Sequence, residues 1–192
     1  MKSPYNFIIS PIGDNYNNKK NVDGKELILN TSLDLAKYVN RLAVVISNPI
    51  WYNGDIKEGD IVVVHHNVFR TYYDMKGRQA KSPEFFRDGL YIISPDRIYL
   101  YKSDSEWMSH LDYCFVKPID RIQDSEFFST DKEEEHVGII VYPSSNQLKN
   151  TDIRAGSLVA FTKNSEYEFN IDDEKVYRMR DRDIVLKFNQ NE

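Results

Sequence analysis

Short apolar runs separated by polar turns recur along the whole chain, for example at residues 61–64, 90–93 and 98–101. Runs of this length, rich in β-branched and aromatic side chains and bounded by turn-forming residues, are typical of buried strands. Only residues 32–41 have apolar positions at helical spacing, and they fit either one or two helical turns or a loop. The pattern therefore predicts an all-β protein.

Four of these segments occur twice in the same order. Residues 7–12 and 114–119 are strands ending in Pro-Ile, and a long polar stretch follows each of them. Residues 55–64 and 152–161 share an Asp-Ile-basic-x-Gly turn that leads into an apolar strand. The other two matching pairs are residues 42–47 with 137–142 and residues 91–100 with 177–186. An ordered repeat of this kind indicates two copies of one module.

The repeat predicts two domains, residues 1–104 and 105–192, joined by a mostly polar linker at 102–111. The first copy carries a long polar loop at 13–40 and an insertion at 68–88. The insertion contains five aromatic residues, namely Phe69, Tyr72, Tyr73, Phe85 and Phe86. These aromatic side chains fit either additional core or a fixed interface with another protein.

Composition limits the classes of partner. Apolar residues make up 41% of the 192 residues, but no apolar run is long enough to cross a membrane. The N-terminus lacks the features of a signal peptide, and the single cysteine, Cys114, fits a reducing compartment. We therefore expect a cytoplasmic protein without a membrane partner.

The basic residues do not form an isolated positive face. The densest group, Arg178, Arg180 and Arg182, alternates with Asp181 and Asp183, and the net charge of the chain is −5. Nucleic-acid binding requires a basic surface that is not neutralised in this way. The sequence favours a solvated strand end here and predicts no nucleic-acid partner.

No group of residues has the spacing of a catalytic or metal site. His65 and His66 are adjacent, and adjacent residues on a regular strand point to opposite faces, so they could not share a metal ion. The acidic stretches lack the residue order of a calcium loop, and no glycine-rich phosphate-binding motif is present. We therefore expect no catalytic, cofactor-binding or metal-binding residues and no enzymatic activity.

In the order of its segments, each copy resembles the subunit of the GroES co-chaperonin family. The resemblance is best in the second copy, at residues 115–119, 155–161 and 175–188. In the first copy it is carried by residues 25–32 and 58–64, and the family's roof hairpin is reduced to residues 50–54. The resemblance implies two GroES-like β-barrels in tandem.

The resemblance also implies a docking loop after the first strand. In the first copy Leu27, Ile28 and Leu29 occupy the position of the family's hydrophobic docking tripeptide, although they also fit an ordinary strand of the barrel. The second copy has no aliphatic triplet. There, either Phe127 and Phe128 act as a second anchor or docking has been lost, and the acidic run that follows favours loss.

The implied function is that of a co-chaperonin: a homo-oligomer that caps a GroEL-like chaperonin ring, docks through the loop and assists protein folding. The sequence leaves a heptamer and a tetramer open. The alternative is a structural or assembly protein, for example a virion component, that reuses a duplicated GroES-like barrel without binding a chaperonin. The reduced roof segments and the aromatic insertion favour this alternative.

Overall fold

The computed structural model describes residues 1–16, 19–22, 25–28, 39–120, 133–146 and 151–188. These residues form strands and short 3₁₀ turns, with no α-helix among them, so the all-β prediction is confirmed. Within these ranges no helix has the length and apolar character needed to cross a membrane. The chain divides into two compact units, Met1–Glu106 and Trp107–Glu192.

The first unit contains ten complete strands among its described residues, and an eleventh begins at its last residue. They are β1 (Phe7–Pro11), β2 (Lys19–Val22), β3 (Lys25–Ile28), β4 (Leu42–Ser47), β5 (Ile61–Val64), β6 (Thr71–Tyr73), β7 (Gln79–Lys81), β8 (Phe85–Arg87), β9 (Leu90–Ile93), β10 (Ile98–Ser103) and β11 (Glu106–Ser109). The main sheet has the order β11-β10-β5-β4-β1-β9-β8. Two further two-stranded sheets are β2-β3 and β6-β7.

The strands of the second unit form a single six-stranded sheet among the described residues. They are β12 (Tyr113–Asp120), β13 (Glu133–Tyr142), β14 (Leu158–Phe161), β15 (Tyr167–Ile171), β16 (Glu174–Arg180) and β17 (Ile184–Lys187). Their order is β15-β16-β12-β13-β14-β17. Read from the other end, this order matches β10-β5-β4-β1-β9-β8 of the first unit strand for strand. Along the chain, a 3₁₀ turn directly precedes the last strand of each series. It is Pro95–Arg97 before β10 and Asp181–Asp183 before β17.

The strand pairings of the two units also agree in register. Pro11 lies opposite Ala43, and Pro118 lies opposite Gly138. A register irregularity falls at the same place in both ladders, between Ile8 and Ile9 in β1 and between the equivalent pair in β12. Residues that the sequence comparison aligned therefore occupy equivalent positions in the two sheets.

A glycine turn before the third core strand has the same hydrogen bonds in both units. The N–H of Gly59 donates to the carbonyl of Val45, and the N–H of Gly156 donates to that of Ile140, both at 2.8 Å. The two glycines have φ angles of 96° and 86°. Residues other than glycine rarely adopt this region because Cβ meets the backbone. The turn therefore explains why glycine is found at both positions.

Each unit has its own buried core. The core of the first unit includes Phe7, Ile9, Val45, Ile56, Val62, Val64, Phe69, Tyr91 and Ile93. The core of the second unit includes Cys114, Val116, Ile140, Val159, Phe161 and Met179. Phe69 of the insertion belongs to the first core, whereas Tyr73 and Phe86 are exposed. The aromatic insertion is thus divided between core and surface.

The two large sheets are open. Within the part of the chain that the structure describes, no ladder joins the two end strands of a sheet, and no closed barrel is found. A closed barrel requires every strand to be paired on both sides. The strand pairing therefore does not confirm the finer prediction of two GroES-like barrels.

Two local expectations were wrong. Residues 102–111 are not a plain linker, because β10 continues to Ser103 and β11 covers Glu106–Ser109. Pro118 does not end its strand, because β12 continues to Asp120. The pairing of β12 with β16 stops at Val116, so the missing N–H of Pro118 costs no hydrogen bond on that side.

Gly138 is required for a reason other than backbone conformation. A Cβ atom at this position would lie 2.5 Å from Cγ1 of Val116 and 2.6 Å from the carbonyl oxygen of Lys117. The equivalent residue in the first unit is Ala43, whose side chain is fully buried. The two ladders thus have the same register but a different tolerance for a side chain at this point.

We predict that Gly59→Ala and Gly156→Ala each lower the free energy of unfolding by about 1–2 kcal/mol, since alanine is disfavoured at positive φ. Denaturant unfolding followed by circular dichroism measures the effect. Substitution of the preceding exposed residue, Glu58→Ala, serves as the control and should change stability by less than about 0.5 kcal/mol. Equal stability of Gly59→Ala and the native chain would contradict the prediction.

Candidate functional site

The polar stretch after β1 starts from a hydrogen-bonded stem. Tyr16 forms an antiparallel bridge with Val39, which is buried. The side-chain amide of Asn40 donates to the carbonyls of Ile12 and Asp14, at 2.7 and 2.9 Å. Because Asn40 is also buried, these bonds satisfy its amide and hold the two ends of the stretch together.

Strands β2 and β3 form a hairpin between the two sides of this stem. Lys20 lies opposite Leu27, and Lys19 lies opposite Ile28. The hairpin is a sheet of its own and is not part of the seven-stranded sheet. Of the predicted docking residues, Leu27 and Ile28 therefore lie in β3, while Leu29 lies outside the described residues. Because β3 pairs with β2 in a separate sheet, its pairing does not support the alternative of a strand within the main sheet.

The proposed second anchor, Phe127 and Phe128, lies outside the described residues. The next strand after that stretch, β13, begins at Glu133. Its carboxylate accepts hydrogen bonds from Nζ of Lys175 at 2.7 Å and from the hydroxyl of Tyr177 at 2.5 Å. The start of β13 is thereby attached to β16.

The same contacts change the acidity of Glu133. Partial burial raises its pKa, but the hydrogen bonds from Lys175 and Tyr177 together outweigh burial, so the pKa lies below its usual value. On the other side of the pair, the hydrogen bond to Glu133 raises the pKa of Lys175. Burial raises the pKa of Tyr177. The ion pair therefore stays charged across the neutral range.

The histidine pair differs from the sequence-based expectation. Strand β5 ends at Val64, so His65 and His66 are not on a regular strand with alternating faces. Their rings stack with centroids 4.2 Å apart, and Nδ1 of His65 accepts a hydrogen bond from the N–H of Asn67 at 3.0 Å. Among the described residues no group of three or more His, Cys, Asp or Glu side chains could hold a metal ion.

Exposed apolar side chains mark one loop that sequence patterning did not single out as a surface. Ile50 and Trp51 follow β4 and are 61% and 73% exposed. Their N–H groups donate to the carbonyls of Ser3 and Pro4, at 2.9 and 3.3 Å. The signal that could have identified this loop is a run of three bulky residues, Ile50 to Tyr52, with proline before it and Asn-Gly after it.

No protein-family model matches this chain, and no curated protein matches its sequence. The resemblance to GroES subunits therefore rests on the sequence segments of this chain alone.

Cys114 is fully buried in β12, and burial raises the pKa of its thiol. We predict that Ellman's reagent does not label the native protein at neutral pH, because the thiol is both protonated and inaccessible. In guanidinium chloride the thiol should react completely. Rapid labelling of the native chain, as measured by absorbance, would contradict this assignment of Cys114 to the core.

The lowered pKa of Glu133 predicts a pH-dependent stability. A carboxyl group with a depressed pKa stabilises the folded state above its unfolded pKa of about 4.3, and this contribution is lost as the pH falls through the folded value. Glu133→Gln should therefore destabilise the chain at pH 7 and be nearly neutral in strong acid. Denaturant midpoints across this range measure the difference, and Glu135→Gln, which removes one exposed carboxylate from the same strand, is the matched control.

Proposed function

We propose that this protein is a co-chaperonin of the GroES type, built from two GroES-like modules in tandem, which acts in the cytoplasm as a homo-oligomer. It would cap a GroEL-like chaperonin ring and assist folding without chemistry of its own. The observation that carries this proposal is the hairpin Lys19–Val22/Lys25–Ile28, which among the described residues is a sheet of its own and contains Leu27 and Ile28.

The position of the hairpin suits a docking arm. It follows directly after the first strand of the sheet, as the docking loop of the family does, and its stem is held by Asn40 and the Tyr16–Val39 bridge. Because the stem is fixed and the hairpin has its own ladder, the arm can bind a partner without breaking the main sheet. Apolar residues in such an arm supply the contact with a hydrophobic groove.

The common strand order of the two units supports the tandem arrangement. Six strands, one register irregularity, one glycine turn and one 3₁₀ turn occur at equivalent positions in both units. A barrel-like module in two copies is the arrangement that the sequence resemblance implies. Closure of each sheet into a barrel is part of the proposal.

Binding through short arms is weak for each arm and strong for the assembly. A single arm with a few apolar residues must offset the entropy lost on ordering, so it dissociates readily. Several arms on one oligomer raise the effective concentration at the ring and restore affinity. Such a cap can bind and leave the ring in response to the ring's own nucleotide state.

A second candidate function is a structural or assembly protein, for example a virion component, that keeps the modules without chaperonin binding. The exposed aromatic residues Tyr73 and Phe86 on the insertion favour it, because they present apolar surface suited to a fixed interface. Stable co-purification with a particle rather than with a chaperonin would support this candidate.

We predict that the native chain binds a chaperonin ring in the presence of ATP and that Leu27→Asp/Leu29→Asp abolishes this binding. Two carboxylates at the contact add a desolvation cost in every arm, so apparent affinity should fall by about a hundredfold or more. Pull-down and surface plasmon resonance on an immobilised ring measure the change.

The matched control is Asn21→Asp/Lys25→Asn, which makes the same hairpin more negative by two charges and keeps the apolar triplet. It should bind within about threefold of the native chain, because rim charges mainly affect association rates. Circular dichroism confirms that all variants are folded. Equal binding by the native chain and the leucine variant, or none by either, overturns the docking role.

A further inference from the structure

Four cationic side chains line one surface pocket of the second unit. They are Lys163, Arg178, Arg180 and Arg182, and the pocket has a volume of about 310 Å³. Arg178 and Arg180 lie two residues apart on β16 and so share one face of that strand. Arg182 lies in the 3₁₀ turn that follows, and Lys163 lies in the loop after β14. The fold thus brings a loop and a strand end together around one opening.

Tyrosine rings hold the guanidinium groups in place. The guanidinium carbon of Arg178 lies 5.3 Å from the ring centroid of Tyr113 and 5.4 Å from that of Tyr167. That of Arg180 lies 5.2 Å from the ring of Tyr113. Stacking of this kind restricts a long side chain and leaves the edge of the guanidinium for hydrogen bonds. The arginines are therefore oriented before any ligand binds.

Three acidic residues lie beside the cations, and one of them, Asp183, is part of the pocket lining. Asp112 forms an ion pair with Arg180 at 2.6 Å. Asp183 accepts a hydrogen bond from the backbone N–H of Arg180 at 2.9 Å. The buried Asp181 accepts one from the hydroxyl of Ser144 at 3.2 Å. These carboxylates hold the scaffold of the turn, and Asp112 neutralises part of the charge of Arg180.

Lys163 and Arg182 are exposed, and neither has an ion-pair partner within the ranges that the structure describes. Lone exposed cations are common, but here they border the same opening as the stacked guanidinium of Arg178. Two exposed cations and one stacked guanidinium therefore border a single opening, whose lining also includes Asp183.

The first unit shows that the fold does not need these cations. It builds the same strand, 3₁₀ turn and strand with residues of other kinds. At the positions equivalent to the three arginines it has an apolar, a hydroxyl and an acidic residue, namely Ile92, Ser94 and Asp96. The common strand order can therefore be built without these cations.

From this convergence we propose that the pocket formed by Lys163, Arg178 and Arg182 binds the phosphate group of a small molecule, as free phosphate or as part of a nucleotide. Arginine forks match the oxygen geometry of phosphate, and lysine adds a point charge. Three cations suit a group with two negative charges better than a carboxylate with one. The site is independent of the docking hairpin, which lies in the other unit.

The experiment titrates inorganic pyrophosphate into the full chain and follows binding by calorimetry and by amide shifts of Lys163 and Asn164. We expect saturable binding to one site per chain. Lys163→Ala/Arg182→Ala should weaken it by about tenfold or more, since each charge-assisted hydrogen bond contributes strongly. Both residues are exposed, so the variant should fold normally.

The matched control is Lys57→Ala/Lys76→Ala, which removes two exposed cations from the first unit and changes the net charge equally. It should leave the affinity within about twofold, since long-range charge is screened by salt. Absence of saturable binding to the native chain, or equal weakening by both double variants, overturns the proposal.

Further titrations separate the sources of the phosphate group. Binding of ATP with shifts at the same amides, together with no binding of adenosine, assigns the site to a phosphate-bearing nucleotide. Binding of inorganic phosphate and pyrophosphate but not ATP assigns it to the free anion. Binding of adenosine, or of acetate as tightly as phosphate, contradicts a phosphate site. None of these measurements uses a chaperonin, so this proposal and the docking proposal fail or stand separately.

Discussion

Each sheet depends on one interior strand, the first of its repeat, which is hydrogen-bonded along both edges. In the first unit β1 lies between β4 and β9, and in the second unit β12 lies between β13 and β16. The inward residues of these strands, Phe7 and Ile9 or Cys114 and Val116, are fully buried. A slip of one residue would turn all of them to the opposite face. The register irregularity that the two ladders share lies at the same place in both, so the pairing of β1 with β4 matches that of β12 with β13.

This strand also determines where the two candidate features lie. In the first unit its end leads directly into the stem closed by Asn40, from which the hairpin extends. In the second unit it supplies Tyr113, which faces Arg180 across the ladder. One scaffold thus presents a hairpin that contains Leu27 and Ile28 in one copy and a pocket lined by cations in the other.

The strands of the cores could be predicted from the sequence because burial leaves a local signal. Runs such as Ile61–Val64 and Leu158–Phe161 are apolar and follow a glycine turn, and both are strands. The aligned repeat segments also correspond in register, since equivalent pairing needs equivalent side chains. These features depend on residues that are close in the sequence.

The candidate sites could be predicted only in part, because their contacts join distant residues. Leu27 and Ile28 were identified through a family resemblance, not through a pattern that reveals their separate hairpin. The alternating charges around Arg178 predict a solvated strand end. This alternation is visible in the sequence, whereas the stacking of Arg178 on Tyr113 is not. Likewise, the position of His65 just beyond its strand depends on where the ladder with β10 ends.

The difference between Gly138 and Ala43 limits which segments the two units could exchange. A segment carrying Gly138 could replace its counterpart in the first unit at the cost of one missing methyl group. The reverse exchange would drive a methyl group against the carbonyl of Lys117. At this one position, therefore, an exchange of side chains between the two copies is tolerated in one direction only.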